Sequence, residues 1–130
     1  MPQHGSFAWN ELATGDVERA KTFYGDLLGW TYQAMEMGGG VIYTVIRNAE
    51  EAARGGMVAL ADIGVPENVP PHWMSYIAVD DVDARTAKVA GLGGKVMKAP
   101  FDIPSVGRMS VVADPTGAVV CLITLSGGGG

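Results

Sequence analysis

Residues 9–30, WNELATGDVERAKTFYGDLLGW, and residues 74–95, MSYIAVDDVDARTAKVAGLGGK, are two versions of one unit. Sliding the chain by 65 residues, half its length, lays Asp16 on Asp81, Val17 on Val82, Leu27 on Leu92 and Gly29 on Gly94. These positions fix a strand, a capped turn and a helix, so the repeat decides the architecture before any local propensity does. In the first copy, Phe7–Ala13 reads as a strand with Phe7, Trp9, Glu11 and Ala13 on one face and Ala8, Asn10 and Leu12 on the other. Thr14 or Gly15 is the expected N-cap of a helix over about Asp16–Leu28. Val17, Ala20, Phe23, Tyr24, Leu27 and Leu28 form its apolar stripe, and Gly29 stops it with a positive φ.

Working outward, Trp30–Met35, Val41–Ile46 and Gly56–Leu60 complete the first half as strands. Val41–Ile46 is apolar on both faces and is expected to be interior. Asp62–Pro71, which holds three prolines, connects the halves. The second half repeats the order. Trp73–Val79 is a strand, Asp80 or Asp81 caps a helix over about Val82–Ala90, and strands follow near Lys95–Lys98, Arg108–Ala113 and Ala118–Leu125. Ala113–Gly117, ADPTG, is a strong turn signal. Each half is βαβββ. A half of this length buries little surface alone, so the two copies are expected to complete one domain over residues 1–126, with modules at about 5–62 and 70–126. Gly127–Gly130 is expected to be a disordered tail.

Composition narrows the functional classes. The chain has 130 residues, is 48% hydrophobic and 18% charged, and carries a formal charge of −5, so it can bury a core. No basic cluster marks a nucleic-acid or anionic-membrane partner, and no apolar run reaches the roughly 20 residues of a membrane span. Cys121 is the only cysteine, which excludes a disulfide framework and a CxxC pair. The N-terminus lacks the basic and apolar regions of a signal peptide, so a cytoplasmic location is expected. No nucleophilic triad order, phosphate loop or dinucleotide fingerprint is present.

With these residues in place the chain resembles the vicinal oxygen chelate superfamily of glyoxalase I, extradiol dioxygenases and bleomycin- and fosfomycin-resistance proteins. The resemblance is carried by Asp16-Val17-x-x-Ala20-x-x-Phe23-Tyr24 with Leu28-Gly29-Trp30, by Val79-Asp80-Asp81-Val82-Asp83-Ala84 with Gly93-Gly94, and by Asp114-Pro115-x-Gly117. The Trp9-x-Glu11-Leu12-x-Thr14 opening, Trp73-Met74-x-Tyr76 and Gly107-Arg108 look most like a glyoxalase-like branch. The resemblance implies an α+β fold of two tandem βαβββ modules, forming cupped mixed sheets with a ligand inside the cup.

The family's metal ligands map onto Trp9, Met74, Cys121 and the fourth strand, which offers no carboxylate or imidazole. No metal and no other cofactor is therefore expected, with Glu11 and His72 as the nearest residues from which a substitute site could be built. The expected ligand is a small, largely apolar organic molecule lined by Trp9, Tyr43, Met57, His72, Met74, Tyr76, Arg108 and Cys121. Glu11 is the candidate acid/base of a metal-independent lyase or isomerase, because desolvation beside Trp9 would raise its pKa. The alternative is a non-catalytic protein that sequesters the molecule, as resistance proteins of the superfamily do. Each candidate has a structural counterpart: Trp9 and Met74 as cavity filling, Glu11 as a paired rim acid, Arg108 as an outward charge, and Cys121 as a small buried hydrophobe. A homodimer is expected, since open sheet edges need cover.

Overall fold

The computed structural model describes residues 3–37, 39–48, 53–62, 68–103 and 106–126; the Gly127–Gly130 tail lies outside the described residues. The elements run β1 (Phe7–Thr14), α1 (Val17–Leu28), β2 (Thr31–Glu36), β3 (Ile42–Arg47), β4 (Ala53–Ala59), then β5 (His72–Ala78), α2 (Val82–Lys88), β6 (Lys95–Ile103), β7 (Gly107–Ala113) and β8 (Val119–Leu125). This is α+β, and it is βαβββ twice. Short 3-10 turns follow β4 at Leu60–Asp62 and α2 at Ala90–Leu92. Among the described residues no helix is long and apolar enough to cross a membrane.

Packing divides the chain into two compact units, Trp9–Trp73 and Met1–Ala8 with Met74–Gly130. The boundaries fall inside β1 and β5, not in the connector. The N-terminal segment joins the second unit because Gly5 N–H donates to the Ala78 carbonyl at 2.7 Å and Ala78 N–H donates to the Ser6 carbonyl at 2.8 Å.

In the unit of residues 9–73 the strand order is β2-β3-β4-β1. β4 runs parallel to β1, with Leu12 opposite Met57 and Glu11 opposite Gly56, while β2–β3 and β3–β4 are antiparallel. Interior β3 matches its two-sided apolar pattern. The helix begins one step later than Thr14 or Gly15 would set it: Asp16 is the N-cap, its carboxylate accepting from Arg19 N–H at 3.0 Å. Thr14 instead supports the turn, its Oγ1 accepting from Asp16 N–H at 3.3 Å. Gly29 ends α1 at φ 76, where a Cβ would be strained. Val17, Ala20, Tyr24, Trp30 and Tyr32 pack on buried Leu12, Ile46 and Met57. Each large apolar side chain fully withdrawn from water there contributes about 1.5–3 kcal/mol. The expected stripe is wider than this contact, since Phe23, Leu27 and Leu28 remain 58%, 61% and 50% exposed.

In the second unit the order is β5-β8-β7-β6, with β5 parallel to β8 and the other pairs antiparallel. Asp81 caps α2 through Ala84 N–H at 3.1 Å. The helix stops at Lys88, short of Ala90, and the chain tightens into the 3-10 turn before Gly93 reverses it at φ 92. Thr86 on α2 donates to the Val82 carbonyl at 2.6 Å, and its Oγ1 lies 2.8 Å from the buried Ser110 Oγ on β7. β6 runs on to Ile103, well past Lys98. It is the last strand in the order, where Pro100 costs no ladder partner, and its register shifts between Lys98 and Phe101.

The Asp114 turn ties β7 to β8. The Thr116 side chain and the amides of Thr116 and Ala118 donate to its carboxylate, which holds it below the ordinary carboxylate value of 3.8. The unfolded chain therefore binds this proton more readily than the folded one. The stabilisation is complete above pH 3.8 and disappears as pH falls through the lowered folded value. In thermal unfolding scanned downward from pH 6, the stability gap between wild type and Asp114→Asn is expected to shrink below about pH 4. A gap independent of pH would contradict it.

Candidate functional site

The site grows out of the pleat of β1. Leu12 lies under α1, so the alternation of a strand sends Trp9, Glu11 and Ala13 to the opposite, helix-free face. On β4 the cross-strand partner of Glu11 is Gly56, which also pairs with Val45 of β3. Tyr43, two residues from Val45, shares that face. Its ring lies over Gly56: a Cβ added there would overlap both the phenol ring and its hydroxyl. The glycine is thus required by a close approach, as glycine inside a strand often signals.

Three side chains meet over this gap. The Trp9 indole Nε1–H donates to Tyr43 Oη at 2.7 Å. Indole nitrogen is a donor only, so the phenol oxygen accepts there and keeps its own proton for another partner. That partner is Glu11, which hydrogen-bonds the Tyr43 hydroxyl. Burial, followed by the neighbouring Glu11 charge, pushes the Tyr43 pKa far above its ordinary 10.0, so the phenol stays protonated. Trp9, Glu11 and Tyr43 are all half-buried. They form a polar chain with an aromatic wall, reachable from solvent.

The second unit has its own helix-free face. Ser110 under α2 pairs with Leu122, which turns Cys121 and Ile123 the other way. Tyr76 lies beside Cys121, and Met74 follows Tyr76 in phase. Cys121 is fully enclosed, and its thiol donates to the Met74 sulfur at 3.7 Å. Tyr76 is 7% exposed. Of the expected residues, Met74, Tyr76 and Cys121 thus share one face, and Trp9, Glu11 and Tyr43 share another within residues 9–73.

Two expected wall residues are elsewhere. Met57 sits at 0% exposure under α1 with Leu12 and Ile46, because its register with Leu12 points it to the helix side. Arg108 stands in phase with Ser110, on the α2 face, where it makes a two-pronged pair with Asp83 at 2.8 and 3.1 Å and a third bond to Asp102 at 3.1 Å. It is the outward charge of its strand. His72 begins β5 with Nδ1 2.9 Å from the Pro70 carbonyl, so that nitrogen carries the proton. The interlock of Tyr43 with Gly56 was missed in the sequence, although the Gly55-Gly56 pair inside a strand was its signal.

These geometries define a two-module βαβββ protein that presents polar and aromatic side chains on the helix-free faces of its sheets. The chain belongs to the Glyoxalase/Bleomycin resistance protein/Dioxygenase superfamily, whose family model matches residues 6–122. It is 46% identical over 122 residues to CFP32 of Mycobacterium tuberculosis, named as a candidate glyoxylase, covering 92% of this chain and 46% of that protein. It is 34% identical over 125 residues to the anthracycline biosynthesis protein DnrV of Streptomyces peucetius, covering 88% and 45%. The chain therefore spans about half the length of these curated relatives. Among solved structures, methylmalonyl-CoA epimerase from Mycobacterium tuberculosis aligns with a TM-score of 0.66 at 18% identity, over 94% of this chain and 88% of that one. A hypothetical protein from Bacillus halodurans aligns at 0.70 with 12% identity, over 95% and 96%. At such identities the likeness is one of fold.

The metal chemistry implied by the superfamily does not fit these residues. At the mapped positions Trp9 offers an N–H donor already given to Tyr43, Met74 a thioether and Cys121 a fully enclosed thiol, and the fourth-strand stretch Gly56–Leu60 has no carboxylate or imidazole. Among the described residues no three His, Cys, Asp or Glu are grouped to hold an ion. Protein purified without an immobilised-metal column is expected to carry substoichiometric zinc, iron, nickel and manganese by mass spectrometry; one bound equivalent would contradict this. Gly56→Ala is expected to expel the Tyr43 ring and cost about 1–3 kcal/mol in chemical denaturation, as overpacking does. A neutral substitution would show that the ring does not need the gap.

Proposed function

We propose that the protein binds a small, largely apolar organic molecule on its helix-free faces, and that Glu11 exchanges a proton with it in a metal-independent lyase or isomerase reaction. The observation that carries this reading is the meeting of Glu11 with Tyr43 and Trp9. Trp9 supplies a half-buried aromatic surface for a flat or greasy ligand, and the carboxylate beside it is the group suited to move a proton. Met74, Tyr76 and Cys121 give the second unit an apolar, polarisable lining of the same character. The relatives named for anthracycline biosynthesis and as a candidate glyoxylase both concern small organic molecules, which supports the ligand class.

One observation favours a second reading. Glu11 is already engaged by Tyr43, and a carboxylate so held can be a structural partner in a protein that sequesters its ligand without turnover. The two readings separate in one experiment. Aldehydes, ketones and quinones are screened for thermal stabilisation of wild type and Glu11→Gln, and compounds that bind are then tested for turnover. The catalytic reading expects similar stabilisation of both proteins and a turnover loss of about 100-fold or more in Glu11→Gln, the usual range for a general acid or base. Binding without turnover in wild type selects sequestration. Equal turnover by both proteins removes Glu11 from the chemistry.

A further inference from the structure

We infer that Tyr43 is a positioning residue for Glu11: held by the Trp9 indole on one side, its hydroxyl donates to the carboxylate, orients it and keeps it ionised as a proton acceptor. The inference rests on the reading of Glu11 as the acid/base group, and it selects the base over the acid as the resting state. Three independent features place the hydroxyl. Trp9 Nε1 lies 2.7 Å from Tyr43 Oη. The hydroxyl overhangs Gly56, so that a Cβ there would overlap it. Gly56 is in turn the cross-strand partner of Glu11 on β1.

The direction of each bond follows from the inventory of donors. An indole has no acceptor, so the Tyr43 oxygen receives the Trp9 proton. The phenol proton then has to go to an acceptor, and an ionised carboxylate is the acceptor beside it. A protonated Glu11 could still accept through its carbonyl oxygen, but a charged carboxylate accepts the phenol proton more strongly. The chain Trp9 to Tyr43 to Glu11 therefore favours the charged carboxylate. Tyr43 does not give up its proton, since burial and the adjacent negative charge both oppose its ionisation. It acts through Glu11, not on the ligand.

Among the described side chains of residues 9–73, three basic groups hold partners of their own. Arg47, four residues along β3 from Tyr43, hydrogen-bonds Gln33 at 2.9 Å. His72 at the start of β5 gives its Nδ1–H to Pro70. Lys21, on α1, pairs with Glu18 at 3.4 Å and lies over the Tyr32 ring. The β4 residue facing Glu11 is Gly56, which has no side chain.

The test needs neither substrate nor turnover, so its failure is distinct from failure of the proposed reaction. The Glu11 side-chain carboxyl, labelled with carbon-13 and assigned by its absence in Glu11→Gln, is titrated by NMR in wild type and Tyr43→Phe. The Glu11 midpoint is expected to move upward in Tyr43→Phe, and the Trp9 Nε1–H resonance to shift toward that of an indole lacking its acceptor. In wild type the Trp9 resonance is expected to move with pH at the same midpoint as Glu11, and Glu11→Gln abolishes that movement. This second readout stands even where Tyr43→Phe folds poorly. A Glu11 midpoint unchanged in Tyr43→Phe, or a wild-type Trp9 resonance indifferent to the Glu11 titration, overturns the inference.

Discussion

The constraint on which the site depends is the phase of β1. Leu12 is 6% exposed under α1, packed with Ile46 and Met57. A strand has a side-chain period of two, so a slip of one residue would carry Leu12 into water and bring Glu11 beneath an apolar helix. Burying an unpaired carboxylate there costs several kcal/mol, and exposing the leucine loses a further 1.5–3 or so. The helix contact therefore fixes which residues can face the other way. Trp9 and Glu11 are where they are because Leu12 is not.

The second determinant is a missing side chain. Most residues at position 56 would fill the space that Tyr43 uses, and the parallel pairing of β1 with β4 brings that space alongside Glu11. A polar chain in a half-buried setting is stabilising only when its members are satisfied in sequence. Here the donors and acceptors alternate correctly from indole to phenol to carboxylate. By contrast, the visible ion pairs of the second unit, Arg85 with Asp80 and Arg108 with Asp83 and Asp102, are open to solvent, which screens them. They fasten the flanks of α2 and take no part in the candidate site.

The two halves have kept one backbone plan and diverged in chemistry. Asp16 and Asp81 cap their helices in the same way, each through the amide three residues on. The helix-free face of the first unit carries a hydrogen-bonded Trp-Tyr-Glu chain. Its counterpart carries Met74, Tyr76 and Cys121, with a sulfur contact between Met74 and Cys121. Trp9, Met74 and Cys121, onto which the superfamily's metal ligands map, hydrogen-bond or pack against neighbouring side chains.

The repeat, the cap of α2, the Asp-Pro turn and the α+β order of two βαβββ modules were legible in the sequence, while the cap of α1 lay at Asp16 and not at Thr14 or Gly15. The cap and the turn are local patterns, set by residues within one or two turns of each other, and the repeat is the recurrence of such patterns along the chain. Legible too was the division of β1 into faces, which is a matter of parity. The sequence could not phase one strand against another. Met57 was expected in the wall and lies under α1, because its orientation is set by pairing with Leu12, 45 positions away. Arg108 carried two readings in the sequence, and only its proximity to Asp83 and Asp102 chose between them. Tyr43, Trp9 and Glu11 could be named from the chain, but their order of donation could not. It arises where β1, β3 and β4 pass over one glycine, and only tertiary structure brings those strands together.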